Sequence, residues 1–431
     1  MGHCRECECE LAVIGAGMAG MAASLFASNR GITVAQVGGA GGILFASGLL
    51  DLLAVHPIEE RKVWADPWEG IEALRDDIPK HPLSRIPASK IRASLAEYLA
   101  FMESAGIPYA GLDEKNVEMI TPAGTCKHTY RIPLTMWNAV TALREKGPCL
   151  IVDFHGLKEF NASLLAGTLG VHWPLVRSER LWFPGTEGTS RVFSRHMALS
   201  LEKSEYLETL AARLKPLLRQ GEVLGMPALL GLHGSSSLLA RLEELVGAPV
   251  FEIPTLPASV PGFRLKEAFE RHLPAKGVKV FFQSKVAGVS AEPDGRFRLR
   301  LSEEGDQRGP AAVVAQAVVL ASGRFFGKGL SSDRSHVWET IFGLPVWQPL
   351  HRSRWHRRDL LDPRGHEINQ AGIEVDEAFR PLDARRRPAF ERLFAAGSIL
   401  AHQDWTRMKC GSGVAIASAY AAVEAFCEMR T

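Results

Sequence analysis

The sequence lacks an excess of charge of either sign. Its 50 Lys and Arg stand against 48 Asp and Glu, a formal net charge of +2. That balance excludes the basic surplus of a dedicated nucleic-acid binder, so no nucleic-acid partner is expected. Cysteine is scarce, seven residues in 431, odd in number and too irregularly spaced for a disulfide framework, which points to a reducing compartment. There is no internal repeat and no low-complexity tract. Two uncharged runs, Leu11–Asn29 and Gly31–Leu50, have the length of a membrane span. The second carries Gly31, Gly38, Gly39, Gly41, Gly42 and Gly48, too many helix-weakening residues for one. Glu6, Glu8 and Glu10 stand where a signal peptide needs positive charge. The chain therefore reads as a soluble globular protein, long enough for two domains or for one with a large insertion.

Acid is absent in one place where it matters. Leu11–Ile14 is a short apolar run with the look of a buried parallel strand, and it leads into Gly15-Ala16-Gly17-Met18-Ala19-Gly20. Helix-compatible sequence follows over Met21–Ser28, then Arg30-Gly31 as a stop and Ile32–Val37 as a second strand. Strand, glycine turn, helix and strand in that order form the nucleotide-binding fingerprint. The first glycine permits the tight turn, the second lets a phosphate approach the backbone, and the third lets helix and strand pack closely. The helix N-terminus then presents N–H groups and positive dipole to the phosphate. A dinucleotide site normally adds Asp or Glu about 20 residues on to hold a ribose hydroxyl. Here no acid occurs between Leu11 and Leu50, and Gly38 follows the second strand. NAD is disfavoured. Either other groups hold a dinucleotide, or the cofactor has one phosphate and no adenosine, as FMN does.

Two later segments complete a flavin site. Val313–Leu320 is an apolar run closed by Ala321-Ser322-Gly323, similar to the strand that returns to the sheet in two-dinucleotide-domain flavoproteins. Before it, Phe263–Leu273 reads as a helix, Val278–Phe282 as a strand, and Val286–Val289 with Phe297–Leu301 as a hairpin. Leu393–Ser398 resembles the flavoprotein strand that ends in Gly-Asp, with Ser398 for the Asp after Gly397. A serine hydroxyl still hydrogen-bonds at such a position. Cys410-Gly411-Ser412-Gly413 opens the Ala-rich helix Val414–Phe426, whose N–H dipoles can stabilise negative charge on a reduced flavin ring.

The region between is an alternating α/β insertion, with strands at Cys149–Phe154, Val223–Leu229 and Val250–Ile253 and helices at Glu159–Gly167, Lys203–Arg219 and Ser236–Val246. The fold class is therefore α/β, a Rossmann-like FAD/NAD(P)-binding flavoprotein fold with a large inserted α/β substrate or cap domain. Its boundaries are expected at 10–55, 262–345 and 388–431 for the discontinuous flavin-binding domain and 56–261 for the insertion. A basic connecting segment covers 346–387 and a Cys-containing leader 1–9.

In order along the chain stand Ser47-Gly48 with Asp51-Leu52-Leu53, His81-Pro82 with Ser84, Pro227-Ala228, Pro254-Thr255-Leu256-Pro257 with Ser259-Val260, Gly262 with Arg264-Leu265, Leu320–Gly323 with Phe325-Phe326, Arg380-Pro381, and Gly397-Ser398 with Cys410-Gly411 and Gly413. Together they resemble the B-subunit family of anaerobic glycerol-3-phosphate dehydrogenase, from about Leu11 to the C-terminus. The resemblance implies an FMN-containing subunit, with FAD as the alternative, paired with an FAD-containing A-subunit. Such a pair oxidises sn-glycerol 3-phosphate to dihydroxyacetone phosphate, and electrons leave through an iron–sulfur C-subunit to membrane quinone. It implies a cytoplasmic location at the inner membrane, reached through the partners. It also puts Ser47 and Gly48 with Gly15, Gly17, Gly20, Ser322, Gly323, Gly397, Ser398, Gly411 and Gly413 at the flavin. The chain departs from the family at Ala401-His402, where Gly-Gly is common, and at Ser412.

Oxidising an alcohol needs a base for the hydroxyl proton. His81 and His402 are the candidates, and Arg264 and Arg380 are the candidate anchors for the substrate phosphate unless they serve ordinary ion pairs. Cys4, Cys7 and Cys9 lack an evident fourth ligand, so no metal is expected. His351–His366 carries five arginines against two aspartates, either a solvated face or a docking patch for an acidic partner or anionic lipid. A stand-alone FAD-dependent oxidoreductase of another substrate, or a structural partner with a decayed flavin site, are the competing readings.

Overall fold

The computed structural model describes residues 6–39, 41–302 and 311–430. They form two compact units. The first comprises 1–43, 51–98 and 269–431, and the second 44–50 and 99–268.

The first unit is built on a seven-stranded sheet. Its strands are β1 (Glu6–Ile14), β2 (Val34–Gly38), β3 (Lys279–Phe282), β4 (Val286–Ala291), β5 (Phe297–Leu301), β6 (Ala312–Leu320) and β7 (Leu393–Ala395). The order is β3-β2-β1-β6-β5-β4, with β7 also on β6. β1 lies between β2 and β6, parallel to both. The far edge of β6 is divided: Ala312–Ala315 pairs antiparallel with β5, and Val318–Leu320 pairs parallel with β7. Strands covered on both faces read as continuous apolar runs, as Leu11–Ile14 and Ala317–Leu320 do.

Helix α1 (Met18–Asn29) is buried from Ala19 to Ala27 on all sides rather than along one stripe. It packs against the C-terminal helix α2 (Gly411–Arg430), with the rings of Phe26 and Tyr420 meeting edge to face at 5.2 Å. Its small alanines allow that close double packing. α1 stops in a Schellman motif: Gly31 is left-handed at φ +69, its N–H donates to the Ser28 carbonyl, and the Ile32 N–H donates back to Ala27.

Two expectations change here. β1 begins at Glu6, so Cys7 and Cys9 belong to a strand and not to a leader. They pair with Val313 and Ala315, and burial raises both thiols, Cys9 to about 12. Cys4 lies outside the described residues. The insertion also starts later than residue 56, because 51–98, including helix Pro67–Asp77, pack with the first unit. Tyr98 anchors that stretch, its ring 6.2 Å from Phe269 and its hydroxyl 3.3 Å from the Met18 sulfur. Among the described residues no helix is long and apolar enough to cross a membrane.

The second unit holds a parallel four-stranded sheet in the order Val250–Ile253, Val223–Pro227, Cys149–Phe154, Val176–Leu181. Its core contains a buried ion pair. Both Arg264 nitrogens Nη1 and Nη2 donate to Glu252, at 2.7 and 2.8 Å. The Thr135 hydroxyl and the Leu230 N–H complete the carboxylate's partners. Burial would raise the Glu252 pKa, but Arg264 outweighs it and holds the carboxyl below its ordinary range. Arg264→Met should lower stability by about 3–5 kcal/mol, since it strands a buried carboxylate, while Arg264→Met combined with Glu252→Leu should recover most of it. Because the folded pKa is depressed, the pair's contribution is present above the unfolded carboxyl pKa and lost as pH falls through the folded one. Thermal melting of the three proteins at neutral and acid pH checks both points.

Candidate functional site

The register of the first unit brings four strand ends to one edge. Ile14 stands opposite Val37 on one side and Leu320 on the other, and Leu320 opposite Ala395. The residues that follow, Gly15–Gly17, Gly38-Gly39, Ala321–Gly323 and Ala396–Ser398, therefore emerge together at the carboxyl ends of parallel strands, where open α/β sheets bind their ligands.

Each glycine of the turn has a separate reason. A Cβ on Gly15 would lie 2.2 Å from the Ala321 carbonyl oxygen, and one on Gly20 would lie 2.1 Å from that of Gly15. Those two residues set how closely β1, β6 and α1 approach. Among the described residues, a Cβ on Gly17 would meet nothing within 4 Å. Gly17 is also the N-cap of α1, with no side-chain cap and no acid in the first turn. This is the open, positive end that a phosphate needs. The loop is held by the buried Gln36 side chain, whose Nε2 donates to the Gly15 carbonyl at 3.0 Å. At the position where a ribose acid would stand, a Cβ on Gly38 would lie 2.9 Å from the Ala16 nitrogen.

The later segments meet this edge. Gly397 has φ +81, and a Cβ there would lie 2.6 Å from the Ala19 Cβ. Its N–H donates to the Ser418 hydroxyl and its carbonyl accepts from Gln403 Nε2. The Ser398 hydroxyl is 3.8 Å from where a Cβ on Gly323 would be. Two polar atoms here, Ser322 Oγ and Gln403 Oε1, are buried with no hydrogen-bond partner among the described residues. Such orphaned groups call for a ligand or water. Together with the open face at Gly17, these residues fit a phosphate-bearing cofactor with a polar chain.

Other expected contacts are spent elsewhere. The Gly413 N–H donates to the Asp51 carbonyl at 2.7 Å, and a Cβ there would lie 2.9 Å from Leu52 backbone, so this glycine packs the helix instead of presenting a dipole. Gly411 faces the Trp405 ring. Ser47 and Gly48 belong to the second unit, where the Gly48 carbonyl accepts from the Tyr109 hydroxyl at 2.7 Å. Arg264 is consumed by Glu252 and by the carbonyls of Leu230 and Gly231. Arg380 is consumed by Asp376 and Glu391. Both arginines serve ion pairs, leaving little for a phosphate.

The two histidines differ in which nitrogen is engaged. His81 is fully buried. Its Nδ1 accepts the Leu83 N–H at 3.1 Å, so the neutral ring carries its proton on Nε2, which has no partner. Burial, with His56 and His402 nearby, lowers its pKa to about 3. His402 points Nε2 at Glu374 Oε1, 2.8 Å away, with the Trp347 ring centre 4.5 Å from its own. Its Nδ1 is then the acceptor nitrogen. Burial outweighs the carboxylate and keeps this imidazole below its ordinary pKa. Burial also raises the Glu374 pKa, but hydrogen bonds from Lys80 and His402 hold it at about 2. His402, Glu374, Lys80 and Arg85 line one small cleft. Sequence reading missed Gln36, Glu374, Gln403 and Ser418, for which no local spacing gives a signal.

Residues 10–414 match the family model described as FAD binding domain. The anaerobic glycerol-3-phosphate dehydrogenase B-subunit of Vibrio vulnificus (strain YJ016) is 29% identical over 425 residues, covering 96% of this chain and 95% of its own length. A protein of Halobacterium salinarum (strain ATCC 29341 / DSM 671 / R1), named as a probable B-subunit of the same dehydrogenase, is 31% identical, covering 98% of each. Among solved structures, 3-ketosteroid delta1-dehydrogenase from Sterolibacterium denitrificans is similar at 11% identity and a TM-score of 0.44, covering 98% of this chain and 100% of that one.

Gly17→Val should fold normally, because its side chain enters open space, yet should lose the bound flavin. Gly20→Val should instead destabilise the whole unit, by about 3 kcal/mol or more, because it drives a side chain into the Gly15 carbonyl. Flavin absorbance per chain and the melting temperature of each variant separate the two effects.

Proposed function

Since the chain belongs to the B-subunit family of anaerobic glycerol-3-phosphate dehydrogenase, within the FAD binding domain family, we propose that it is the FMN-containing subunit of such a dehydrogenase. In this reading it works with an FAD-containing A-subunit on sn-glycerol 3-phosphate, yielding dihydroxyacetone phosphate. Electrons pass through an iron–sulfur C-subunit to quinone, on the cytoplasmic side of the inner membrane. The observation that carries the mononucleotide is the open N-terminus of α1 at Gly17 beside a β2 end that has no acid and no room for one at Gly38. FAD is the second reading, favoured by the description of the matched family.

The turn Gly15–Gly17 and the N–H groups of α1 would hold the phosphate, and the Ser322 and Ser398 hydroxyls the polar chain. When bound, the flavin supplies a two-electron acceptor. The chain's own residues supply the proton chemistry. His402 Nδ1 takes the proton of the substrate hydroxyl, and Glu374 receives the Nε2–H and steadies the imidazolium that results. Lys80 and Arg85 line the same cleft, where they pair with Glu374 and Glu377.

Heat release of the cofactor from the purified chain, followed by chromatography, should yield FMN; FAD would support the second reading, and no flavin would end both. His402→Gly removes the ring and relieves its φ of +64. If His402 is the base, turnover in the presence of the A-subunit should fall about 100-fold or more with little change in melting temperature. An unchanged rate would place the proton acceptor elsewhere. In the unmodified enzyme the base must be neutral, so the rate should fall only below the ordinary imidazole pKa of about 6.5. Glu374→Gln removes the group that favours the protonated ring and should move that limb to still lower pH.

A further inference from the structure

The loop from Pro349 to His366 turns apolar side chains to solvent. Leu350 is 96% exposed, and Leu360 and Leu361 are 83% each. The loop is not loose. Trp355 is buried within it and donates its indole N–H to the Pro349 carbonyl at 3.1 Å. His366 accepts the Arg357 N–H on Nδ1 at 3.0 Å, while its Nε2 lies 3.0 Å from the Leu360 carbonyl. The three leucines are thus held outward on a packed scaffold.

Their surroundings are mixed, with five arginines between Arg352 and Arg364 against Asp359 and Asp362 in the loop and Glu59 and Glu367 beside it. Arg354 pairs with Glu367, Arg357 with Glu59 and Arg364 with Asp362. Arg352 lies over the Trp355 ring at 4.5 Å. Among the described residues, neither Arg352 nor Arg358 has a carboxylate within salt-bridge distance. Exposed leucines beside unpaired guanidinium groups need two kinds of partner at once, hydrocarbon and anions. A bilayer offers both, with acyl chains directly beneath anionic phosphates, and requires no shaped pocket.

We propose that this loop docks directly on an anionic lipid surface. Leu350, Leu360 and Leu361 enter the interfacial layer, and Arg352 and Arg358 meet the headgroups. The attachment is additional to any made through partner subunits and is independent of which flavin is bound.

The test is co-sedimentation of the flavin-loaded full chain with vesicles of phosphatidylcholine alone or mixed with phosphatidylglycerol. The chain should pellet with the mixed vesicles, not with phosphatidylcholine alone, and salt should weaken binding. Arg352→Gln with Arg358→Gln should weaken it by about 30-fold, from roughly 1 kcal/mol for each charge near the surface. Leu350→Ser, Leu360→Ser and Leu361→Ser together should abolish it, with flavin content and melting temperature unchanged because the side chains are exposed. The proposal is overturned if the unmodified chain ignores phosphatidylglycerol vesicles or if the triple variant binds them as tightly. It is equally overturned if the leucines prove to be covered by a second copy, seen as self-association that the triple variant loses while vesicles retain nothing.

Discussion

Backbone touching backbone is the constraint from which the nucleotide-binding unit follows. The turn after β1 lies so close to β6 that no side-chain carbon fits at Gly15, and so close to α1 that none fits at Gly20. β2 adds a third such approach at Gly38 against Ala16. These omissions let three parallel strands and the start of a buried helix converge on one point. The fourth residue, Gly17, is different in kind, since a side chain there would meet only open space. Three glycines are demanded by the fold, and Gly17 leaves room for the phosphate of the proposed cofactor.

That convergence also decides the charge of the site. The helix end contributes positive dipole, and neither α1 nor α2 has an acid in its first turn. In a dinucleotide site an acid at the end of the second strand holds the ribose. Here the polar side chain nearest that end, Gln36, is spent on the Gly15 carbonyl, and Gly38 is pressed against the turn. The α1 end of the site is therefore positive with no acid in its first turn, while Asp51 and Asp404 stand near Cys410 at the start of α2. The α1 end suits the phosphate of the proposed flavin, and β2 carries no acid for an adenosine ribose.

What the sequence made legible follows from range. The glycine turn, the apolar strands and the Gly397-Ser398 end are local signals, and the structure uses them locally. Strand Val176–Leu181 was not legible because it is a polar edge strand whose Arg177 and Arg180 reach Glu222 and Asp153 far along the chain. The alternation from Glu6 to Glu10, acid then thiol, is a readable strand period, but its cysteines read as part of a leader instead. Arg264 looked like a phosphate anchor because a guanidinium advertises itself in sequence and its buried carboxylate partner, twelve residues away, does not. Residues 56–98 read as part of the insertion because nothing local reports Tyr98 meeting Met18 and Phe269.

Two histidines close to one another end up chemically unlike. His81 has its acceptor nitrogen occupied by a backbone N–H and its proton facing no partner in a dry interior, so it can neither take a proton nor carry charge. His402 has the reverse arrangement, with its proton directed to Glu374 and its acceptor nitrogen unengaged by that bond. It also sits at φ +64, a left-handed conformation that a side chain adopts with strain. Glycine would occupy that position without strain. The His402 backbone N–H donates to the Gln370 carbonyl at 2.9 Å, and its ring meets Glu374 and the Trp347 ring. Strain retained beside a carboxylate, in a cleft with Lys80 and Arg85, is the arrangement expected of a ring whose orientation matters more than its backbone comfort.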